Sequence, residues 1–427
     1  MQKTQTLSHT VFIMDRLNQL AGQLNPSSKQ SLLQKNPDDV VIVAAYRTAI
    51  TKGGKGGFKD VGTDWILQKF LEAFLKKTNV DPKLVEDVTV GNCLRQACGA
   101  TEHRGAVLSA GFPYTTAYLS VNRQCSSGLM AVADIANKIK CGLIDAGIGA
   151  GVESMSSNYN ANALARADVG IRKEPEMEKC MIPMGFTNEN VAKKYSIPRS
   201  RNDEFAANSY AKAERAVSSG AFKDEILPIE SYTNEGDEDD DEPILKKFIV
   251  DTDEGPRKGV TAESLGKLKP AFEEGGVTHA GNASQVSDGC AGVLLMRRSV
   301  AEKNNLPIVG KYVACSTVGV PPEIMGVGPA VAIPDVLKKT GLTVEDISVF
   351  EINEAFAAQC LYSAETLNIP AEKLNPNGGA IALGHPLGCT GARQYATILR
   401  LLKAGEFGIT SMCIGTGMGA ASILIKE

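Results

Sequence analysis

Alternating apolar and polar runs along the chain predict an α/β protein. Val40 to Ala45 is a continuous apolar run rich in β-branched residues, typical of a strand buried on both faces. A helical pattern follows over residues 65–77, and an apolar run over 85–90 predicts another strand. An extended run over 117–121 is followed by apolar residues at helical spacing, namely Leu129, Val132, Ile135 and Ile139. This alternation is typical of a sheet covered by helices.

The same order of elements returns near the C-terminus. Short segments of the first part reappear at nearly equal offsets in the last part. The matching pairs are Leu75–Thr78 with Leu337–Thr340, Val85–Val88 with Val344–Ile347, and Cys125–Gly128 with Cys389–Gly391. This repeat predicts two βα-rich halves packed as pseudo-twins. Equivalent strand ends and helix starts of the two halves are then expected to face one another.

A region of different character lies between the two halves. It contains a helical pattern over 202–218 and the acidic run Glu235–Glu242, which is typical of a solvated loop. We interpret it as an inserted loop domain able to fold over a ligand. The predicted division is an N-terminal half over 38–155, the loop domain over 156–285 and a C-terminal half over 286–427, with the strand predicted over 286–297 open to assignment to either half.

Residues 1–37 are rich in Gln, Ser, Thr and Asn, and we expect them to lie outside the core. Within them, Arg16–Leu24 is similar to the N-terminal type of peroxisomal targeting signal, with three leucines on one helical face for an import receptor. The expected location is therefore the peroxisome, with mitochondrion or cytosol as alternatives. Either Met1 or Met14 is the start, and the other peroxisomal signal, a C-terminal Ser-Lys-Leu, is missing.

Composition narrows the class of protein. The 427 residues carry a net charge of −4, so no basic surplus indicates binding to nucleic acid or to an anionic membrane. No apolar run reaches the roughly 18 residues that a membrane-spanning helix needs. The 10 cysteines are irregularly spaced, which favours reduced thiols in an intracellular protein over a disulfide scaffold or a zinc site.

Cys125 lies where a predicted strand gives way to a helix. Free backbone N–H groups and the positive end of the helix dipole favour an anion at such a place. The pKa of Cys125 is therefore expected to be lowered, and its thiolate to act as a nucleophile. The alternative is a buried and inert thiol, which is the commoner state of a free cysteine.

His385 is the candidate base for Cys125. It stands in a glycine-rich turn ahead of a helix, at the counterpart of the Cys125 turn in the other half. A Cys–His pair across the pseudo-twofold would activate the thiol. The other two histidines of the core, His103 and His279, lack such a setting, and a lone histidine is more often structural.

Two further residues stand at predicted strand ends of the C-terminal half. Asn353 is a candidate to position a water or an oxyanion and also to cap the helix predicted over 355–364, and the two roles are compatible. Cys413 ends the last internal strand, ahead of a glycine-rich stretch. That stretch is followed by a predicted strand, whereas a dinucleotide-binding motif requires a helix, so we expect no nucleotide cofactor there.

Four segments together resemble the signatures of the thiolase family. They are Asn-Arg-Gln-Cys125-Ser-Ser-Gly, Asn353-Glu-Ala-Phe, Gly384-His385-Pro-Leu-Gly and Cys413-Ile-Gly-Thr-Gly-Met-Gly. The similarity runs from about Val40 to Glu427 and is greatest to the fungal peroxisomal 3-ketoacyl-CoA thiolases. The resemblance implies an α/β fold with five αβαβα layers, made of two duplicated halves and an inserted loop domain, and a homodimer.

The resemblance also implies an activity, the last step of peroxisomal fatty acid β-oxidation. A 3-ketoacyl-CoA is cleaved by CoA through an acyl thioester on Cys125, giving acetyl-CoA and a shortened acyl-CoA. His385 takes the proton of Cys125, Asn353 holds a water, and Cys413 protonates the departing enolate. The backbone N–H groups of Cys125 and Gly415 bind an oxyanion. Coenzyme A is a substrate, and neither a metal nor a resident cofactor is implied.

The same resemblance suggests a set of substrate-binding residues. Arg257 is expected near the adenine end of CoA, Ser264 and Ser284 along the pantetheine, and Met325 in the acyl channel. Ser264 and Ser284 could equally cap a helix or a turn. Two residues depart from the family pattern: Thr416 stands where many members carry glycine, and Cys389, where many carry alanine, is interpreted as a packing residue.

Three other functions stay open from the sequence. An acetoacetyl-CoA thiolase acting in the condensing direction would use the same four motifs. A catalytically silent carrier of CoA or lipid would use the fold without the chemistry. A thiol redox sensor would form a disulfide between Cys125 and Cys413.

Overall fold

The computed structural model describes residues 29–159, 167–236 and 244–427. The predicted targeting segment, Arg16–Leu24, and most of the acidic run lie outside the described residues. The strands are β1 (Val40–Arg47), β2 (Thr51–Lys52), β3 (Asp87–Gly91), β4 (Ala117–Val121), β5 (Ala146–Ser154), β6 (Ile229–Asn234), β7 (Leu245–Val250), β8 (Ser287–Arg297), β9 (Gly310–Gly319), β10 (Ile347–Ile352), β11 (Phe407–Ile414) and β12 (Met418–Lys426).

Helices of the described residues alternate with these strands. In order they are α1 (Lys29–Leu33), α2 (Thr63–Thr78), α3 (Ala100–Ser109), α4 (Ser127–Lys140), α5 (Met155–Asn158), α6 (Pro175–Cys180), α7 (Met184–Lys194), α8 (Arg199–Ser219), α9 (Ala262–Gly266), α10 (Arg298–Lys303), α11 (Gly328–Thr340), α12 (Ala357–Thr366), α13 (Ala380–Leu383) and α14 (Leu387–Leu401). None of them combines the length and apolar character needed to cross a membrane.

The strand order repeats between the halves, as the sequence repeat predicts. In the first half the order is β4-β3-β5-β8-β1, with β3 parallel to β4 and β5, and β8 antiparallel to both of its neighbours. In the second half it is β10-β11-β12-β9, with the matching parallel and antiparallel pairs. A parallel bridge from Phe350 to Leu374 stands where the first half has β4. The strand predicted over 286–297 is β8, which pairs within the sheet of the first half.

The strands of each half form a sheet, and the two sheets are continuous where β1 pairs antiparallel with β9. Five layers follow from how the helices pack on them. α4 and α14 lie between the sheets, where their apolar faces form one buried cluster with β1, β8, β9 and β12. α2 and α3 cover the outer face of the first sheet, and α11 and α12 cover that of the second. The arrangement confirms the predicted αβαβα fold and sets the starts of α4 and α14 side by side.

The sequence repeats mark equivalent places in the two halves. α2 ends at Asn79 with φ 53°, where its N–H bonds to Leu75, and α11 ends at Gly341 with φ 68°, where its N–H bonds to Leu337. Asparagine and glycine suit this left-handed position. The match of Cys125 with Cys389 is one helical turn out of register, because Cys389 lies inside α14 and is fully buried in the central cluster.

A buried ion network joins the first half to the inserted region. The Arg47 Nε atom donates to Glu225 Oε1 at 2.6 Å, and its Nη1 and Nη2 atoms donate to both oxygens of Asp253 at 2.6 and 2.8 Å. All three side chains are buried. Carboxylates removed from water need such a partner, because burial penalises their charge.

We expect Arg47→Met to lower the free energy of unfolding by about 3–5 kcal/mol, because it leaves two buried carboxylates without their cation. Urea unfolding followed by circular dichroism measures this. Lys267→Met is the control, since Lys267 is largely exposed in its pair with Glu263. It should change the free energy by less than about 1 kcal/mol. Equal effects of the two variants would contradict a stabilising role for the Arg47 network.

Candidate active site

The turn that carries Cys125 is fixed by its own polar side chains. Asn122 Oδ1 accepts the N–H of Gln124 at 2.9 Å, and the Ser127 hydroxyl donates to the Gln124 carbonyl at 2.6 Å. These bonds hold Gln124 at φ 49°, a left-handed conformation that is uncommon outside glycine. The predicted strand-to-helix turn is confirmed, with Cys125 two residues before the first residue of α4, Ser127.

The expected lowering of the Cys125 pKa is wrong. Burial raises the pKa of the Cys125 thiol to about 11, against the opposing effect of the backbone N–H groups of Gly415 and Cys125 itself. The carboxylate of Glu153 adds to the rise. Enclosure of the sulfur therefore outweighs its place at a helix start, and the thiol is protonated at neutral pH. A base is needed to release the thiolate.

His385 occupies the matching place in the second half, two residues before Leu387 at the start of α14. Burial lowers the pKa of His385 to about 3, so its imidazole is neutral. The Thr390 hydroxyl lies 2.6 Å from His385 Nδ1 and donates to the Pro386 carbonyl. Because that hydroxyl then accepts from His385, the network assigns the proton to Nδ1. The Nε2 atom then carries no proton and is the acceptor of the ring, a role that its contact with the Asn353 Nδ2 atom matches.

Asn353 directly follows β10 and holds the open side of the imidazole. Its backbone N–H donates to Ser411 at 2.9 Å, and its Nδ2 atom lies 3.2 Å from His385 Nε2. The Asn353 Oδ1 atom is buried and has no hydrogen-bond partner among the described residues. The alternative interpretation as a helix cap is wrong, because Phe356 is the N-cap and α12 begins at Ala357.

Cys413 lies in β11 and is fully buried. Burial raises the pKa of its thiol strongly, and the proximity of Cys125 adds to the rise. The side chain packs in a cluster with Met325, Ala355, Met184 and Phe356. The structure thus brings the two thiols and the predicted acyl-channel residue Met325 together, and adds Met184 from α7.

The three residues suggested for CoA lie in different settings. Ser284 is half-buried and donates its N–H to the Ala355 carbonyl at 2.9 Å, which places it beside the Cys413 cluster. Ser264 is exposed, and its hydroxyl closes a capping box with Thr261 at the start of α9. Arg257 is also exposed. It lies two residues after Gly255, whose carbonyl accepts from Gln285 Nε2 at 3.1 Å.

That last contact links Arg257 to the site. The Gln285 carbonyl accepts the backbone N–H of His385 at 3.2 Å, so the segment that leads to Arg257 borders the His385 turn. The other core histidines lie elsewhere, as expected. His103 is buried against Thr63 at 2.8 Å, and His279 against Asp203 at 2.7 Å.

Thr416, the departure from the family pattern, adopts φ 69°. For a β-branched residue this left-handed conformation is strained, which explains why glycine suits the position. The Thr416 hydroxyl donates to the Gly415 carbonyl, and Cys180 Sγ donates to the Thr416 carbonyl at 3.7 Å. Local bonds therefore hold the strained turn next to the Gly415 N–H that faces Cys125.

The sequence missed Thr390, which contacts His385, and Glu153, which accepts hydrogen bonds from neighbours of the two turns. Thr390 lies one turn into α14, so the helix predicted after His385 was a usable signal for a side chain facing back to it. Glu153 is distant in sequence from Cys93 and Gly388, whose N–H groups donate to it, and no local pattern marks it. In the described residues no group of His, Cys, Asp and Glu side chains is arranged to hold a metal ion.

Comparison with known proteins places the chain among relatives of high similarity. The family models described as "Thiolase, N-terminal domain" and "Thiolase, C-terminal domain" match residues 40–299 and 306–426. Peroxisomal 3-ketoacyl-CoA thiolase B of Candida tropicalis is 68% identical over 97% of this chain and 100% of its own. The crystal structure of the dimeric peroxisomal thiolase of Saccharomyces cerevisiae superimposes with a TM-score of 0.87 at 58% identity, covering 93% of this chain and 100% of that one. Human mitochondrial 3-ketoacyl-CoA thiolase in complex with CoA gives 0.80 at 33% identity, covering 91% and 98%.

Proposed function

The chain belongs to the thiolase family, and on that premise we propose how its four site residues divide the cleavage of a 3-ketoacyl-CoA by CoA. The chain catalyses this thiolytic cleavage to acetyl-CoA and a shortened acyl-CoA, the last step of peroxisomal β-oxidation, and acts as a homodimer. One observation gives the strongest support to this assignment of roles to the four residues. A neutral imidazole and two protonated thiols stand at strand ends and helix starts of the two halves, and the two thiols are close enough for Cys125 to raise the pKa of Cys413.

The first half-reaction begins with transfer of the Cys125 proton to His385 Nε2. The thiolate forms a bond to the 3-keto carbon, and the keto oxygen becomes an oxyanion. The carbon–carbon bond then breaks, its electron pair passes to the enolate of acetyl-CoA, and Cys413 gives that carbanion its proton. Cys413 suits this step because its raised pKa keeps it protonated until a strong base appears.

The second half-reaction returns the enzyme to its starting state. Coenzyme A gives its thiol proton to the Cys413 thiolate and attacks the thioester carbonyl. The bond to Cys125 breaks, and the Cys125 thiolate recovers its proton from His385. A sulfur nucleophile suits both halves, because the intermediate remains a thioester like the substrate and the product.

Two sets of donors serve the oxyanions. The backbone N–H groups of Cys125 and Gly415 both face the Cys125 sulfur, the place at which a tetrahedral centre forms. His385 with a water held by Asn353 forms the other set. The buried and unpaired Asn353 Oδ1 atom supports that water, because a buried polar atom without a partner is costly.

The substrate-binding part of the proposal uses four residues. Met325 and Ser284 lie beside the Cys413 cluster, so we assign them to the acyl channel and the pantetheine. Arg257 and Ser264 are exposed, and we assign them to the far end of the CoA. We propose the division into residues 38–155, 156–285 and 286–427 as the organisation of the chain, with the strand over 286–297 assigned to the first half because it pairs with β1 and β5. The middle part would cover the bound CoA.

The substrate class is tested by a chain-length profile. We expect the purified protein to cleave 3-ketoacyl-CoAs with eight- to sixteen-carbon chains as well as the four-carbon one. Absorbance of the enolate–magnesium complex follows the cleavage. Activity confined to the four-carbon substrate would instead support the acetoacetyl-CoA thiolase, and binding of CoA without turnover would support the silent carrier.

Replacing Thr390 tests the role of the His385 tautomer. We expect Thr390→Val to lower kcat by about 10²-fold with little change in KM, because the ring loses the contact that fixes Nδ1 as the protonated nitrogen. Steady-state kinetics measures the split. Thr397→Val is the control, since Thr397 is buried in the same helix and bonds to Glu225. Equal losses in the two variants would refute the assigned role of Thr390.

Import rests on Arg16–Leu24, which we propose as the segment that the peroxisomal import receptor binds. Paired substitution of Leu17 and Leu24 by Arg is expected to leave a fluorescent fusion in the cytosol, because it removes the apolar face of the predicted helix. Continued peroxisomal fluorescence would exclude this segment as the signal.

A further inference from the structure

The carboxylate of Glu153 is buried between three loops near the site. Glu153 is the penultimate residue of β5 and is fully buried. Its Oε2 atom accepts the N–H of Cys93 at 2.9 Å and of Gly388 at 3.0 Å. Its Oε1 atom accepts Asn92 Nδ2 at 3.0 Å and the N–H of Leu94 at 3.3 Å. Four donors from both halves of the chain thus converge on one side chain.

One of those donors belongs to the helix that follows His385. Gly388 lies in the first turn of α14, and Pro386 at the N-cap has no side chain to cap it. Glu153 of the other half accepts the exposed N–H in its place. A carboxylate at a helix start also interacts favourably with the helix dipole. Glu153 therefore fixes the first turn of α14 at Gly388, three residues after His385.

A second donor leads to the nucleophile. Cys93 is bonded to Glu153 through its backbone, its carbonyl accepts Asn122 Nδ2 at 3.0 Å, and its Sγ donates to Gln124 Oε1 at 3.5 Å. Asn122 and Gln124 are the residues that shape the Cys125 turn. Glu153 thus lies two hydrogen bonds from that turn and one from the helix of His385.

The backbones between these loops are in close contact. A Cβ atom on Gly388 would lie 2.8 Å from the Gly91 carbonyl oxygen, and one on Gly128 would lie 2.4 Å from the Gly388 carbonyl oxygen. No side chain fits at these two glycines, and the Glu153 carboxylate bonds to the Gly388 N–H beside them. A shift of α14 would be passed directly to the start of α4.

We propose that Glu153, as the anion, is a positioning residue of the reaction that holds the Cys125 turn and the His385 helix in register across the two halves. The inference rests on the proposed roles of Cys125 and His385. An ionised carboxylate suits the position because it only accepts hydrogen bonds, and all four groups around it are donors. Glutamine would bring two N–H donors of its own among them.

The charge of Glu153 has a second consequence. The titratable groups that face it are Cys93, Cys125 and Cys389. Burial raises the pKa of each thiol, and the negative charge of Glu153 adds to the rise. Burial raises the pKa of Glu153 itself to about 7, against the opposing effect of the N–H groups bonded to it. Removing the charge of Glu153 should therefore misplace the catalytic groups and, at the same time, lower the pKa of the Cys125 thiol and make it more reactive.

The test is Glu153→Gln in the full-length enzyme. We expect kcat to fall about 10²-fold, the loss typical of a small misplacement of catalytic groups. The pH profile for alkylation of Cys125 by iodoacetamide, followed by peptide mass spectrometry, should move to lower pH. Partial unfolding would also expose the thiol and slow turnover, so the comparison requires a Glu153→Gln protein whose circular dichroism and unfolding midpoint match those of wild type. Turnover within threefold of wild type, or an alkylation profile that does not move, would overturn the proposal.

The pH dependence of kcat is a second, independent test of the role of Glu153. The raised pKa means that Glu153 gains a proton as the pH falls through about 7, so wild-type kcat should decline below that pH. His385, with a pKa of about 3, stays neutral over this range. Glu153→Gln should lack the decline, and Glu153→Asp should retain the charge and the alkylation profile of wild type but lose turnover. An unchanged decline in Glu153→Gln would overturn the proposal.

Glu225→Gln is the matched control. Glu225 is a buried carboxylate bonded to the same helix at Thr397, away from the site. The Glu225→Gln variant should keep the kcat of wild type and its pH dependence. A loss of kcat equal to that of Glu153→Gln would overturn the proposal. Cys125→Ser separates the two levels of inference. Turnover retained by Cys125→Ser defeats the proposed function, whereas an inactive Cys125→Ser beside a normal Glu153→Gln defeats the inference about Glu153 alone.

Discussion

Cys125→Ser is expected to lower turnover by about 10⁴-fold or more, with no acyl-enzyme detectable by intact-protein mass spectrometry. A serine hydroxyl is far less acidic than a thiol, and His385 is too weak a base to ionise it. An acyl group on serine would also be an oxygen ester, which CoA attacks less readily than a thioester. Both half-reactions therefore lose their shared nucleophile.

The control for this variant lies at the other end of the same helix. Cys141 is the C-cap residue of α4 and is exposed. Cys141→Ser should retain wild-type turnover and the mass increase of the acyl-enzyme. An acyl adduct of normal yield on the Cys125→Ser protein would contradict Cys125 as the nucleophile.

Labelling of the thiols follows from the raised pKa. Because burial raises the pKa of Cys125 to about 11, iodoacetamide should not select it at neutral pH over an exposed thiol such as Cys141. Its labelling should increase steeply above pH 8, and acetyl-CoA should protect Cys125 but not Cys141. Equal protection of both thiols would show that acetyl-CoA does not occupy the site.

The local features of this site could be predicted from the sequence because their causes are local. The end of an apolar run and the start of a helical period place Cys125 within a few residues. The repeat places His385 at the equivalent helix start, since two similar halves bury similar faces. Neighbouring side chains and short-range periodicity are sufficient for both.

The features that the sequence did not predict correctly depend on distant parts of the chain. The Cys125 pKa is set by enclosure and by Gly415 and Glu153, which reach it only through the pairing of strands and the packing of the halves. Asn353 looked like a helix cap because a polar residue preceded a helical pattern, but the helix begins only after Phe356, its extended N-cap residue. Thr416 adopts its left-handed conformation with help from Cys180, a contact that no spacing indicates.

Cys413→Ala is expected to lower cleavage of a 3-ketoacyl-CoA by about 10³-fold or more while Cys125 still accepts an acetyl group from acetyl-CoA. The range for a lost general acid is about 10²–10⁴-fold. Cys413 is the only described thiol that shares a buried cluster with Met325, and its raised pKa keeps the proton that the departing enolate needs. Without it the enolate has no donor, and the carbon–carbon bond re-forms.

Two measurements separate the acid from the nucleophile. The Cys413→Ala protein should still gain the mass of one acetyl group on Cys125, and it should lose the exchange of the acetyl α-protons of acetyl-CoA with deuterated water. Cys360→Ala is the control, because Cys360 is also fully buried with a pKa raised by burial, but packs in the outer cluster of the second half. It should retain the exchange. If Cys413→Ala kept that exchange, the enolate would be receiving its proton from another group, and His385 would be the remaining candidate, since its Nε2 atom carries the Cys125 proton at that stage.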